Sequence, residues 1–188
     1  MTKFSFIVIA LVLFVCFSEA SAQKRKKVST PKKTAVVVTS PDVKIKEDKS
    51  SGQREVRLAK QKITLILSLE LNETVDLNAP AKTVEQWASE EVGIIFTFAY
   101  DNGNFTDSGV DFTVDGKQVK GGDVSRTPGS LEDDQKLRDL FTGVITIGSL
   151  EKIAAGSKVQ LKLGSEVYDI DKSTRKNIKA FIAALKRK

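Results

Sequence analysis

The sequence predicts an α+β domain, in which an antiparallel β-sheet carries a short helix and a C-terminal amphipathic helix packed on it. Three observations predict this. Apolar and polar residues alternate over Lys62–Leu71 and again over Ile94–Tyr100. Short β-prone runs are joined by the turn pairs Asp115-Gly116 and Gly164-Ser165. Near the C-terminus Ile178, Phe181, Ile182 and Leu185 recur at i, i+3, i+4 and i+7, the stripe of a surface helix.

The first element lies outside that domain. Lys3 precedes an apolar run from Phe4 to Phe17, and Ala20-Ser21-Ala22 supplies the small residues that a signal peptidase cleaves. Residues 1–22 are therefore expected to be a secretory signal peptide, with a mature chain starting at Gln23. A spanning helix needs about 20 apolar residues, more than this run offers. The cluster Lys24-Arg25-Lys26-Lys27 would favour an uncleaved anchor, whereas the short run and the Ala-x-Ala site favour cleavage. Cys16 would suit lipidation only with a small residue before it, and Val15 stands there. The expected location is secreted or periplasmic.

Residues 23–56 read as a basic low-complexity arm, rich in Lys, Ser, Thr and Pro, with too little apolar surface to offset the entropy of ordering. Ala35–Val38 is a short β-prone exception. Residues 23–60 hold twelve Lys and Arg against four Asp and Glu, a net of +8, while residues 61–188 hold 17 basic and 19 acidic side chains. The positive charge thus belongs to the arm, which argues against a folded nucleic-acid-binding domain. Lys24, Arg25, Lys26, Lys27, Lys32 and Lys33 are the candidate contacts to an anionic envelope polymer or membrane surface.

Residues 57–188 are expected to form the single α+β domain. In Lys62–Leu71, Ile63, Leu65, Leu67, Leu69 and Leu71 would share one face of a strand. Further on, Thr83 and Gln86 have the spacing of a capping box ahead of Trp87. Ile94–Tyr100 gives a second strand. Val110–Val114 and Lys117–Val119 form a hairpin about Asp115-Gly116, a pair suited to a type I′ turn, with Phe112 facing Val119. Gly121 to Asp139 reads as a long polar loop. Gly143–Gly148 is expected as a strand, with Ser149 capping a helix to Ala155. Lys158–Leu163 and Glu166–Ile170 should pair about Gly164-Ser165, Leu161 against Tyr168 and Val159 against Ile170. Ser173 would cap the last helix, which ends at Lys186.

Composition removes much chemistry. The chain has no histidine, and its one cysteine leaves with the signal peptide. No thiolate nucleophile, imidazole base or His/Cys metal site is available to the mature chain. Without disulfides, an exported chain of this length must rest on a packed core. No cofactor fingerprint occurs, since Gly121-Gly122 lacks the strand–helix context of a phosphate loop.

Three groups of residues remain as candidates. Asp101, Asn104, Asp107 and Asp111 cluster oxygen ligands that would suit calcium, without the spacing of an EF-hand; the same residues also serve an ordinary hairpin loop. Glu90, Glu91, Asp133, Asp134, Asp169 and Asp171 could supply an acid/base pair for glycoside hydrolysis, although no spacing brings two of them together. Trp87, the sole tryptophan, would serve either as a core residue or as a stacking platform. Asn72-Glu73-Thr74 and Asn104-Phe105-Thr106 match the glycosylation sequon, a motif short enough to arise by chance. Together these features point to an exported non-catalytic binding or structural module of the cell envelope or extracellular space, with a possible protein partner. The alternative is a carboxylate-dependent hydrolase acting on envelope glycans.

Overall fold

Alternation of apolar and basic residues begins well before Arg57. The computed structural model describes residues 36–100, 110–127 and 137–187, and in it three strands occupy the segment expected to be a tether. These are β1 (Val36–Ser40), β2 (Val43–Asp48) and β3 (Gln53–Lys62). Val43, Ile45, Val56 and Leu58 are buried, while Lys44, Lys46, Glu55 and Arg57 face solvent. This corrects the boundary at residue 57. An outer strand with one dry face and one basic face has the composition of a disordered arm; only its period of two tells them apart. Residues 1–35 lie outside the described part of the chain.

The run Lys62–Leu71 is likewise not one strand. Its first residue ends β3, the chain reverses over Ile63–Ile66, and β4 (Leu67–Asp76) pairs back against β3. The amides of Ile63 and Thr64 both donate to the Leu67 carbonyl, 2.9 and 3.1 Å away. Leu67, Leu69 and Leu71 keep the inward face as expected, whereas Leu65 is fully exposed at the turn. Period alone cannot see a reversal that preserves the alternation on either side.

The chain continues through helix α1 (Val84–Ser89) into β5 (Glu91–Tyr100), and then into a second sheet. The strands β6 (Val110–Val114) and β7 (Lys117–Lys120) form the expected hairpin, with Phe112 opposite Val119. Asp115 and Gly116 both have positive φ (49° and 81°), as a type I′ turn requires. Gly121-Gly122 then carries the chain from one sheet to the other. A Cβ on Gly121 would strike the Val110 carbonyl in the second sheet, and one on Gly122 the Val144 carbonyl in the first. The expected polar loop therefore contains a strand, β8 (Asp123–Thr127), and β9 starts at Leu137 (Leu137–Thr146).

Helix α2 (Ile147–Ala155) follows at once, capped by Thr146, whose hydroxyl accepts from the Ser149 amide at 3.2 Å. Ser149 is thus the capped partner and not the cap. The hairpin of β10 (Val159–Leu163) and β11 (Glu166–Asp169) has the expected register, Leu161 opposite Tyr168, with Gly164 at φ 59°. Helix α3 (Lys172–Lys186) is capped by Asp171, which accepts from the Thr174 amide at 2.6 Å; Ser173 lies inside the first turn.

Two antiparallel sheets result. The larger has the order β1-β2-β3-β4-β5-β9-β8 and the smaller β11-β10-β6-β7. The helix α3 packs across β1, β2 and β3, and α2 lies between α3 and the strands β6, β7 and β9. Phe96 of the large sheet meets Phe112 of the small one with ring centroids 6.3 Å apart. Phe181, Leu185 and Ile178 of α3 join the same buried cluster, so the C-terminal stripe packs on the sheet as its spacing predicts. No helix among the described residues is long and apolar enough to cross a membrane.

Candidate functional site

A cleft of about 660 Å³ opens where β4 ends and β5 begins. Its position follows from local chain reversals. The Leu77 amide donates to the Gly52 carbonyl at 2.7 Å, holding the exit of β4 against the β2–β3 turn. Residues 77–82 then swing outward to α1. There the Thr83 hydroxyl accepts from the Gln86 amide at 3.2 Å and the Gln86 side chain accepts from the Thr83 amide at 2.7 Å, the capping box expected from their spacing. This short helix presents Trp87 to the cleft. The Ile147 amide closes the back by donating to the Glu90 carbonyl at 2.8 Å.

The floor is apolar: Val92, Ile147 and Leu185 line it. The walls carry charge of both signs. Lys82 places its ammonium 2.6 Å from a Glu90 carboxylate oxygen and 5.0 Å from the Trp87 ring centroid, so it is held between a carboxylate and an aromatic face. Arg54, nearly buried, donates to Glu47 at 2.9 Å and to the backbone carbonyl of Arg187. That second bond puts a guanidinium at the C-terminus of α3, where the helix dipole favours a cation. Glu73 stands on the inward face of β4 opposite Val56. Burial raises its pKa above the ordinary 4.5, the Thr74 amide that donates to it at 2.9 Å acts in the other direction, and the charge of Glu90 adds to the rise.

The cleft contains two of the six carboxylates singled out in the sequence, Glu90 and Glu91. Asp171 is a helix cap, and Asp169 accepts from the Gln160 side chain at 3.1 Å. Asp133 and Asp134 lie outside the described residues, as do Asp101, Asn104 and Asp107 of the calcium candidate and the basic residues Lys24, Arg25, Lys26, Lys27, Lys32 and Lys33. Asp111 is in β6, directly opposite Lys120 on one neighbouring strand and Lys162 on the other. Cross-strand charge pairing accounts for it. Among the described residues no group of three or more acidic, His or Cys side chains is placed to hold a metal ion.

Glu73 was not among the sequence candidates, and a signal for it exists. Once β4 is extended past Leu71, Leu67, Leu69, Leu71, Glu73 and Val75 share the inward face, and Glu73 is the one acid that breaks that apolar series. No protein-family model matches this chain, and neither the curated proteins nor the solved structures contain a match to it.

Proposed function

We propose that the protein is an exported, non-catalytic binding module of the cell envelope or extracellular space, secreted or periplasmic. In this reading residues 1–22 direct export and are removed. The arm bearing Lys24, Arg25, Lys26, Lys27, Lys32 and Lys33 is drawn to an anionic envelope polymer or membrane surface. The cleft takes a segment of envelope glycan. The cleft is the observation that carries the reading: its volume falls within the range of ligand sites, and it combines an apolar floor, one aromatic wall and polar groups of both signs at the rim. With Lys82, which lies over the ring, moved aside, a tryptophan face beside carboxylates suits the apolar face and hydroxyls of a sugar ring. Because Trp87 is the only tryptophan, its emission reports on the site directly. Titration with envelope glycan fragments should change that emission saturably, and Trp87→Ala should abolish the binding heat in isothermal titration calorimetry. A flat titration across glycan classes would overturn the proposal.

A second reading is favoured by one specific observation: burial first, and the charge of Glu90 in lesser part, raise the pKa of Glu73 in the cleft. A carboxyl whose pKa burial raises, with a second carboxyl in the same cleft, is the arrangement a carboxylate-dependent glycan hydrolase would use. Glu90 is already tied to Lys82, which opposes its use as a base or nucleophile. Product analysis separates the two: the binding reading expects intact glycan after long incubation, and the hydrolase reading expects cleavage lost in Glu73→Gln.

A further inference from the structure

The turn between β3 and β4 differs from the other hairpin turns among the described residues. Those use Pro41-Asp42, Lys49–Gly52, Asp115-Gly116 and Gly164-Ser165, residues that satisfy turn geometry and meet water at little cost. The β3–β4 turn instead carries Leu65, 101% exposed, and Ile66, 38% exposed. The pair is held out by a fixed backbone. The Thr64 hydroxyl accepts from the amides of Ile66 and Leu67 at 3.2 and 3.1 Å, and the Ile66 carbonyl accepts from the Ala99 amide at 2.7 Å. A turn ordered in this way loses little conformational freedom when its tip is covered.

Charge identifies what covers it. Lys60 and Lys62, both exposed, lie just behind the tip, and residues 60–66 contain no acidic side chain. Two aliphatic side chains at the apex with ammonium groups one layer back match a phospholipid leaflet, acyl chains first and anionic phosphates above them. We propose that the β3–β4 tip inserts into an anionic bilayer surface, Leu65 and Ile66 entering the acyl boundary and Lys60 and Lys62 meeting the phosphates. One apolar loop gives only weak, reversible membrane binding, and basic residues beside it supply the second signal that stable attachment needs. This contact belongs to the folded domain and is independent of the cleft and of the arm.

A tryptophan placed at the tip tests it. The full chain carrying Trp87→Phe and Leu65→Trp is mixed with vesicles of phosphatidylglycerol and phosphatidylcholine that bear a shallow nitroxide quencher. A matched chain carrying Trp87→Phe and Leu77→Trp reports from the opposite end of β4. Emission from position 65 should shift to the blue and be quenched, emission from position 77 should do neither, and adding Lys60→Glu with Lys62→Glu should reduce the quenching at least tenfold at the same lipid concentration. Unchanged emission at position 65 while the chain sediments with the vesicles would overturn the proposal, because the arm or leader would then carry the binding alone. A lipid-independent blue shift that grows with protein concentration would also overturn it, by making a second copy of the chain the occupant.

Discussion

Asn177 shows how one side chain can fix a helix on a sheet. Its amide nitrogen donates to Asp42 at 2.7 Å and to Gln61 at 2.9 Å, and its oxygen accepts from the Ser40 hydroxyl at 3.3 Å. Gln61 in turn donates to the Ala59 carbonyl at 2.8 Å, across the register shift between Leu58 and Gln61. Asn177→Ala removes a partner from the buried Gln61 oxygen and from the half-buried Ser40 and Asp42, and should cost about 1–3 kcal/mol in chemical denaturation. Glu73 offers a prediction with a definite sign. Its folded pKa lies above the ordinary 4.5, so the folded chain holds the proton more tightly than the unfolded chain does. Stability therefore falls as pH rises from about 4.5 through the folded value, and the loss is complete above it. Glu73→Gln should raise the Tm at neutral pH and leave it unchanged near pH 3; an equal shift at both would contradict the burial of this carboxyl. Asp115 acts in the opposite sense. The amides of Lys158 and then Ser157 lower its pKa, so its contribution is present above the ordinary 3.8 and is lost as pH falls through the folded value. The turns at Asp115-Gly116 and Gly164-Ser165 were legible at this scale because positive φ demands particular residues. The caps were less so: Thr146 and Ser149, or Asp171 and Ser173, are chemically equivalent candidates, and only where the preceding strand stops chooses between them.

At the scale of elements, legibility follows how much apolar pattern each segment carries. The stripe of α3 was plain in the sequence, and Phe181 is fully buried at its centre. Phe181→Ala should cost about 3–5 kcal/mol, and Phe181→Asp should abolish the cooperative melt. The β10–β11 register was legible because hydrophobic and polar pairings agreed on it. By contrast β2 and β3 each show only a few inward apolar residues between basic ones, and their composition concealed them. A chain beginning at Arg57, the boundary that composition suggests, would lose β1, β2 and the first part of β3, and with them the strands that support α3. It should melt without cooperativity. A sharp transition close to that of the intact chain would return residues 36–56 to the role of a linker.

The molecule as a whole was the least legible, because nothing local specifies that the chain leaves one sheet for another and comes back. The crossing at Gly121-Gly122 reads as a loop, and the partnership of β5 with β9 joins segments separated by an entire hairpin. The cleft shares this origin. It gathers Arg54, Glu73, Lys82, Trp87 and Leu185 from separate stretches of the chain, so neither Glu73 nor the Lys82–Trp87–Glu90 contact has a motif. Trp87 was visible as a residue, but its setting was not. Amide hydrogen exchange of the chain with and without a saturating envelope glycan fragment tests the cleft most directly. Binding in the cleft predicts slowed exchange in residues 77–82 and in α1, accompanied by the change in Trp87 emission. Slowed exchange confined to other strands or to the second sheet, with α1 and residues 77–82 unaltered, would contradict it.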